Sequence, residues 1–315
     1  RLMINVPEIN NRRKGCFFGL AVGDALGTPI EMKRPGTFEP ITGFRDRDPK
    51  SIKMDNRRSL AGEWTDDTSM ALALADALST NDPGHFHVKQ LKNYIEWYRN
   101  GKYTVHNKCF GMGGLTRRAL EAYEKDGNPI ANNAAEAITN GSIMRLAPIP
   151  IKYYDRPYQS LWALAKASSE TTHSGVVCKD ACAYMASILA GLICGGTKEY
   201  VLNPGFSGIP SYLCPEIRLI ANGSYKTDPV SGAFLATGTL EAALWAFWSS
   251  NSFEETVLKA VNLGGDADTV GAVAGQFAGA FYGFNAIPKR FVYGLAKRRM
   301  IQKYYYKLVQ SGNRS

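Results

Sequence analysis

The chain has 315 residues, 45% of them hydrophobic and 21% charged, which is enough apolar material for a large buried core and excludes a disordered or fibrous protein. Its net charge of +9 is concentrated at one end, because eight basic residues and no acid follow Asn285, so the remainder is nearly neutral. No run of 18 or more uncharged apolar residues occurs, which argues against a membrane span, and the six cysteines lack C-x-x-C or zinc-ligand spacing, as in a reduced cytoplasmic protein.

The chain opens on Arg1 rather than Met, as a trimmed sequence does, and Arg12-Arg13-Lys14 leads into an apolar stretch that soon meets Asp24, unlike a signal peptide. Apolar residues at three- and four-residue steps predict helices over 12–23, 67–80, 86–99, 114–125, 158–170, 176–194, 213–221, 237–249, 253–262, 268–284 and 288–308. Alternating strand patterns are absent, so the expected fold is all-α, a single domain over 1–315 with its core in about 12–290. Residues 33–62, 203–212 and 222–233, rich in Gly, Pro and polar residues, read as insertions between helices. Ala and Gly dominate 181–196 and 270–284, which suits buried helices that cross closely. The basic terminal helix at 288–308 carries Tyr304-Tyr305-Tyr306, a mixture that suits nucleic acid or an acidic partner. A solvated face is the expectation there, and nucleic acid is not the expected partner.

The chemistry-bearing positions stand at predicted helix starts. Trp64-Thr65-Asp66-Asp67-Thr68 opens one helix and Gly264-Gly265-Asp266-Ala267-Asp268-Thr269 another, about two hundred residues later. Thr and Asp are common helix caps, but one cap and one first-turn acid suffice, whereas each segment stacks two Asp and a Thr. Together they read as two halves of one metal site whose hard oxygen donors select magnesium, manganese or calcium over zinc or copper. Glu31 follows the turn Gly23-Asp24-Ala25-Leu26-Gly27 and is a candidate general base. Asn140-Gly141-Ser142 offers backbone N–H groups for an anion. Other signatures fail: Gly191 to Lys198 lacks the Lys-Ser/Thr order of a phosphate loop, and G-x-S-x-G and H-E-x-x-H are missing.

The ordered set Gly23 to Gly27 with Glu31, Trp64 to Thr68, Asn140-Gly141-Ser142-Ile143-Met144-Arg145, Thr172-His173-Ser174, Thr239 to Ala246 and Gly264 to Thr269 resembles the ADP-ribosylglycohydrolase family, particularly its bacterial arginine-type members. The resemblance spans about 12–290 and implies an all-α fold with two magnesium or manganese ions, held by Thr65, Asp66 and Asp67 from one helix start and Asp266, Asp268 and Thr269 from the other. It implies hydrolysis of the glycosidic bond between ADP-ribose and a modified protein side chain, with free ADP-ribose as product. Glu31 is then the base or substrate-orienting acid, and Asp66, Asp67 and Asp268 couple metal to substrate. The turns at Gly111 and Gly113 and at Asn140, Gly141 and Ser142 cradle the diphosphate, His173 lies at the same cleft, and Phe234 stacks. One departure stands out: arginine-type members usually read Cys-Phe-Asp-Ile-Gly where this chain has Cys109-Phe110-Gly111-Met112-Gly113. Glycine cannot pair with a guanidinium, so serine or a nucleobase remain alternative acceptors. A crystallin-like structural role is a further alternative, against which the intact Asp66, Asp67, Asp266 and Asp268 speak.

Overall fold

The computed structural model describes residues 4–48, 59–80, 82–228 and 234–310. Helices dominate them, and the one β feature is a single antiparallel bridge between Thr139 and Leu235. The helices are α1 (Val6–Gly27), α2 (Asp66–Leu78), α3 (Phe86–Asn100), α4 (Gly114–Asp126), α5 (Pro148–Tyr153), α6 (Tyr158–Glu170), α7 (Val176–Ile193), α8 (Lys198–Val201), α9 (Pro215–Ala221), α10 (Ala236–Trp248), α11 (Phe253–Val261), α12 (Ala267–Tyr282), α13 (Lys289–Gly294) and α14 (Arg298–Gln310).

The centre of the fold is α1 against α12, and glycine makes the pair possible. Gly15, Gly19 and Gly23 recur every four residues on α1 and meet Gly279, Gly275 and Gly271 of α12 in antiparallel order. A Cβ at Gly19 would stand 2.1 Å from the carbonyl oxygen of Gly275, so backbone touches backbone along this seam. At its end Gly27 abuts Ala267, which sets the C-terminal end of α1 against the first turn of α12. Around the pair pack α7, α10 and α11, while α2 is sandwiched between α3 and α14. Helix α7 is long and apolar enough to cross a membrane by composition, but 83% of it is buried in the protein and it serves as a core helix.

Three differences from the periodicity have physical causes. Helix α1 starts at Val6 rather than 12 because Asn5 accepts a hydrogen bond from the N–H of Glu8 and Pro7 sits in the first turn, while the polar run Asn10 to Lys14 hides the apolar period. Helix α5 lies outside the predicted set; Pro148 and Pro150 both occupy its first turn, where a missing N–H costs nothing. The expected helix 288–308 is two helices. Between them Lys297 takes φ +51°, and Ala296 donates its N–H to the Gly62 carbonyl and accepts the Trp64 indole N–H at 2.8 Å. The break therefore anchors the segment that leads into α2. The insertions expected at 33–62 and 222–233 lie partly outside the described residues.

Part of the basic terminus is structural. Lys307 of α14 donates to Asp76 of α2 at 2.6 Å, Tyr103 donates to the same carboxylate at 2.7 Å, and Lys102 lies 3.7 Å away. Burial alone would raise the pKa of Asp76, but these hydrogen bonds and the charges of Lys307 and Lys102 outweigh it and hold the carboxyl below its ordinary 3.8. A depressed carboxylate stabilises the fold above its unfolded pKa, and that stabilisation is lost as pH falls through the folded value. Lys307→Met is therefore expected to cost about 1 kcal/mol at neutral pH, a figure discounted for the half-exposed lysine, with the gap to wild type closing below pH 3.8 in urea melts. A gap unchanged in acid would show that the lysine stem, not its charge, does the bracing.

Candidate metal centre and cleft

The helix starts of α2 and α12 meet at the C-terminal end of α1. Asp24 of α1, fully buried, is the hub: it accepts hydrogen bonds from the backbone N–H of Thr65 (3.0 Å) and Thr68 (3.1 Å) and from both their hydroxyls (2.9 and 2.7 Å). It thus caps α2 from another helix. Thr65 and Asp266, the residues in N-cap position, make no side-chain cap of their own. The Thr65 hydroxyl also lies 3.1 Å from Asp67 Oδ2 and 3.3 Å from Asp268 Oδ2. Capping therefore does not explain the two acidic clusters, since their side chains point at one another.

Glu31 is brought in by a two-way backbone link. Met32 donates its N–H to the Gly265 carbonyl at 2.7 Å, and Gly265 donates to Lys33 at 2.8 Å, with Gly264 and Gly265 both at positive φ. Carboxylate oxygens of Glu31, Asp266 and Asp268 lie within 4.8 Å of one another, and so do those of Asp24, Asp67 and Asp268. Asp268 belongs to both groups.

Five of these carboxylates, Asp24, Asp66, Asp67, Asp266 and Asp268, are at most 9% exposed, and Oδ1 of Asp67 and Oδ1 of Asp268 are buried with no hydrogen-bond partner. Burial first, then the charges of Asp24, Glu31 and Asp266, raises the pKa of Asp66 well above its ordinary value. Asp67 and Asp268 are raised likewise by burial and then by neighbouring carboxylates, and burial lifts Asp24 to about 6. Such a cluster holds its charge only with compensating cations. Hard oxygen donors, two orphaned buried oxygens and two overlapping carboxylate groups fit two divalent ions of the magnesium or manganese type.

Beside this cluster opens a cleft of about 400 Å³ whose walls include Glu31, Asp66, Asp266, Asp268 and Thr269 together with Gly111, Gly113, Asn140, Gly141, His173 and Phe234. Thr65 and Asp67 lie behind them. Asn140 donates to Asp266 at 2.6 Å and to Thr239 at 3.0 Å, which ties the Asn-Gly-Ser turn to α12 and α10. The bridge between Thr139 and Leu235 straps Phe234 beside that turn, with Asn140 N–H donating to the Phe234 carbonyl. Ser142 faces the interior, where it accepts from Ser169 at 2.9 Å, and is not part of the cleft wall. Arg145, fully buried, donates to the Gly141 carbonyl, Ser168 and the hydroxyls of Thr171 and Thr172, and so fixes the turn from below.

His173 pairs Nε2 with Thr139 and Nδ1 with Thr172, and burial pushes its pKa down to about 3. It is a neutral imidazole packed directly under Gly141, where a Cβ would stand 2.5 Å from the ring. Gly111 has φ +79°, and a Cβ there would lie 2.7 Å from Asp66 Oδ1. Gly111→Ala is expected to displace Asp66 and lower kcat/KM by about tenfold or more while costing only about 1–2 kcal/mol in stability, read from parallel kinetics and melts. Equal kinetics would mean that Asp66 is free to move.

Asp24 is the residue that the sequence reading left without a role. Its signal was a lone charge in the Gly/Ala-rich stretch Gly19 to Gly27, which has no solvent-facing reason to be there.

A sequence model of the ADP-ribosylglycohydrolase family matches residues 5–314. ADP-ribosylarginine hydrolase Tri1 of Pseudomonas putida (strain GB-1) is 38% identical over 300 residues, covering 93% of this chain and 76% of that protein. The ADP-ribosyl-[dinitrogen reductase] glycohydrolase of Rhodospirillum rubrum is 29% identical, covering 90% of this chain and 89% of its own. A solved structure titled ADP-ribosylglycohydrolase-related protein complex superposes with a TM-score of 0.82 at 39% identity, covering 97% of this chain and 99% of that one. Matched from end to end in sequence and in fold, the chain belongs to the ADP-ribosylglycohydrolase family.

Proposed function

We propose that the chain is a divalent-metal-dependent hydrolase that cleaves the glycosidic bond between ADP-ribose and a modified arginine of a cytoplasmic protein, releasing ADP-ribose. ADP-ribosyl hydrolysis itself is supported by the family and by relatives named for it; two relatives are named ADP-ribosylarginine hydrolases, at 38% and 34% identity. The observation that carries the reading is the pair of carboxylate groups sharing Asp268 at the wall of a cleft large enough for a nucleotide-sized ligand.

Thr65, Asp66, Asp67, Asp266, Asp268 and Thr269 would hold two magnesium or manganese ions, which supply positive charge to ribose hydroxyls and make a nearby water more acidic. The chain's own groups do the rest. Glu31, half-buried at the cleft wall, takes a proton from the attacking water through its carboxylate, and the Arg47 guanidinium 3.7 Å from its Oε2 steadies its aim. The charge that develops on the ribose as the bond breaks is positive, so the surrounding carboxylates stabilise it. Backbone N–H groups around Gly111 to Gly113 and at Gly141 face the diphosphate, and the exposed ring of Phe234 stacks at the rim. Gly111 offers no acid to a departing guanidinium, and the Asp66 carboxylate stands against that turn.

The test is release of ADP-ribose from matched peptides modified on arginine or on serine, in magnesium and in EDTA. Release from arginine that EDTA abolishes is expected. Release from serine alone would overturn the arginine reading, and release undiminished by EDTA would overturn the metal reading.

A further inference from the structure

At the other end of the α1/α12 seam, ten residues or about 15 Å along α1 from Asp24, is a second cavity, of about 360 Å³. Its walls come from elements far apart in sequence: Lys14 of α1, Phe284 just after α12, Lys289 and Tyr293 of α13, and Arg298 of α14. It contains three cations and no acid. A neighbouring cavity of about 480 Å³ shares Lys14 and Phe284 as a common wall and adds Tyr306.

The cations here differ from those that serve the fold. Lys307 is engaged by Asp76 and Arg290 by Glu254, whereas Lys14, Lys289 and Arg298 have no carboxylate partner among the described residues. Lys14 and Arg298 lie on rings instead. The Lys14 ammonium is 4.2 Å from the Phe284 centroid and 5.6 Å from that of Tyr306, and the Arg298 guanidinium is 4.6 Å from that of Tyr293. Tyr293 is 68% exposed and Tyr306 38%, so both rings reach solvent, Tyr293 the more openly. Unpaired cations supply contacts for phosphates, and open rings supply platforms for bases. Two such cavities sharing one lysine suit successive units of one polymer better than a single small anion.

We propose that this face binds single-stranded nucleic acid, with phosphates at Lys14, Lys289 and Arg298 and bases on Tyr293 and Tyr306. It is separate from the cleft, and its test does not depend on the hydrolase reading. A fluorescently labelled DNA oligomer of about ten nucleotides is titrated with the protein at rising salt, and anisotropy is followed. The wild type is expected to bind with an affinity that falls with salt, and Lys289→Glu and Tyr293→Ala, both at exposed positions, are each expected to weaken binding roughly tenfold. Lys125→Glu on α4, matched in charge, and Asp268→Asn in the cleft are expected to leave it unchanged. Absence of binding at low salt overturns the proposal. So does equal weakening by Lys125→Glu, which would mark net charge alone. A Tyr293→Ala variant that binds as wild type, with polyglutamate or polyphosphate competing as well as DNA, overturns it in favour of an acidic occupant without bases.

Discussion

Asp268→Asn is expected to stop release of ADP-ribose while making the metal-free protein more stable, a combination that a helix cap does not produce. Asp268 is shared by both carboxylate groups, and its Oδ1 is buried without a partner. Substitution of residues that merely orient a metal ligand costs about 10–100-fold, so loss of the shared ligand should exceed about 100-fold in kcat/KM. In the absence of metal the same carboxylate is a liability, raised far above its ordinary pKa by burial and by Glu31, Asp67 and Asp266. Asparagine keeps the shape and removes the repulsion. Each kcal/mol so recovered lifts the melting midpoint by about 2–4 °C in a chain of this size or somewhat smaller. Magnesium should then raise the midpoint of the wild type and leave that of the variant where it was. A simple helix-capping role predicts the reverse, a loss of about 0.5–2 kcal/mol with activity spared, and that outcome would sink the metal assignment.

The two acidic helix starts were legible because they are chemically redundant as caps, and because hard donors without His or Cys would admit only a few metal ions. Their meeting was expected from that redundancy, but what brings it about was not legible, since nothing in either segment says why α2 and α12 begin at the same place. That is fixed by α1, whose glycines set it against α12 and whose Asp24 caps α2. Asp24 was given no role because the apolar period around it reads as core, and a buried acid leaves no mark in periodicity. Most helices were legible from spacing alone. What periodicity missed depends on partners elsewhere: the split of α13 from α14 exists because the Ala296 backbone pairs with Gly62 and Trp64, more than two hundred residues upstream. Gly111 is the reverse case. In sequence it stood out as a missing acid, while in the structure it is a position of positive φ pressed against Asp66, where a Cβ has no room.

The seam between α1 and α12 carries the largest stability effect. Gly19→Ala gains about 1 kcal/mol of helix propensity in isolation, so any loss seen in the protein understates the cost of the contact. Its Cβ would stand 2.1 Å from the Gly275 carbonyl oxygen, and a methyl on Gly275 would stand 2.0 Å from that of Gly19. Both partners are backbone, so no rotamer relieves the clash and the helices must separate by about an ångström along a close-packed core. Overpacking of this kind costs roughly 3 kcal/mol or more, which shifts a urea midpoint far outside error. Because one separation relieves both clashes, Gly19→Ala and Gly275→Ala should cost together much less than the sum of their single effects. Additive losses would mean that the two glycines do not share a contact. The separation also moves Asp24 away from Asp268, and with it the two halves of the proposed metal centre. Magnesium should therefore stabilise the Gly19→Ala protein less than the wild type, although residue 19 touches no carboxylate. An undiminished response would show that the carboxylate cluster is held by α2 and α12 alone.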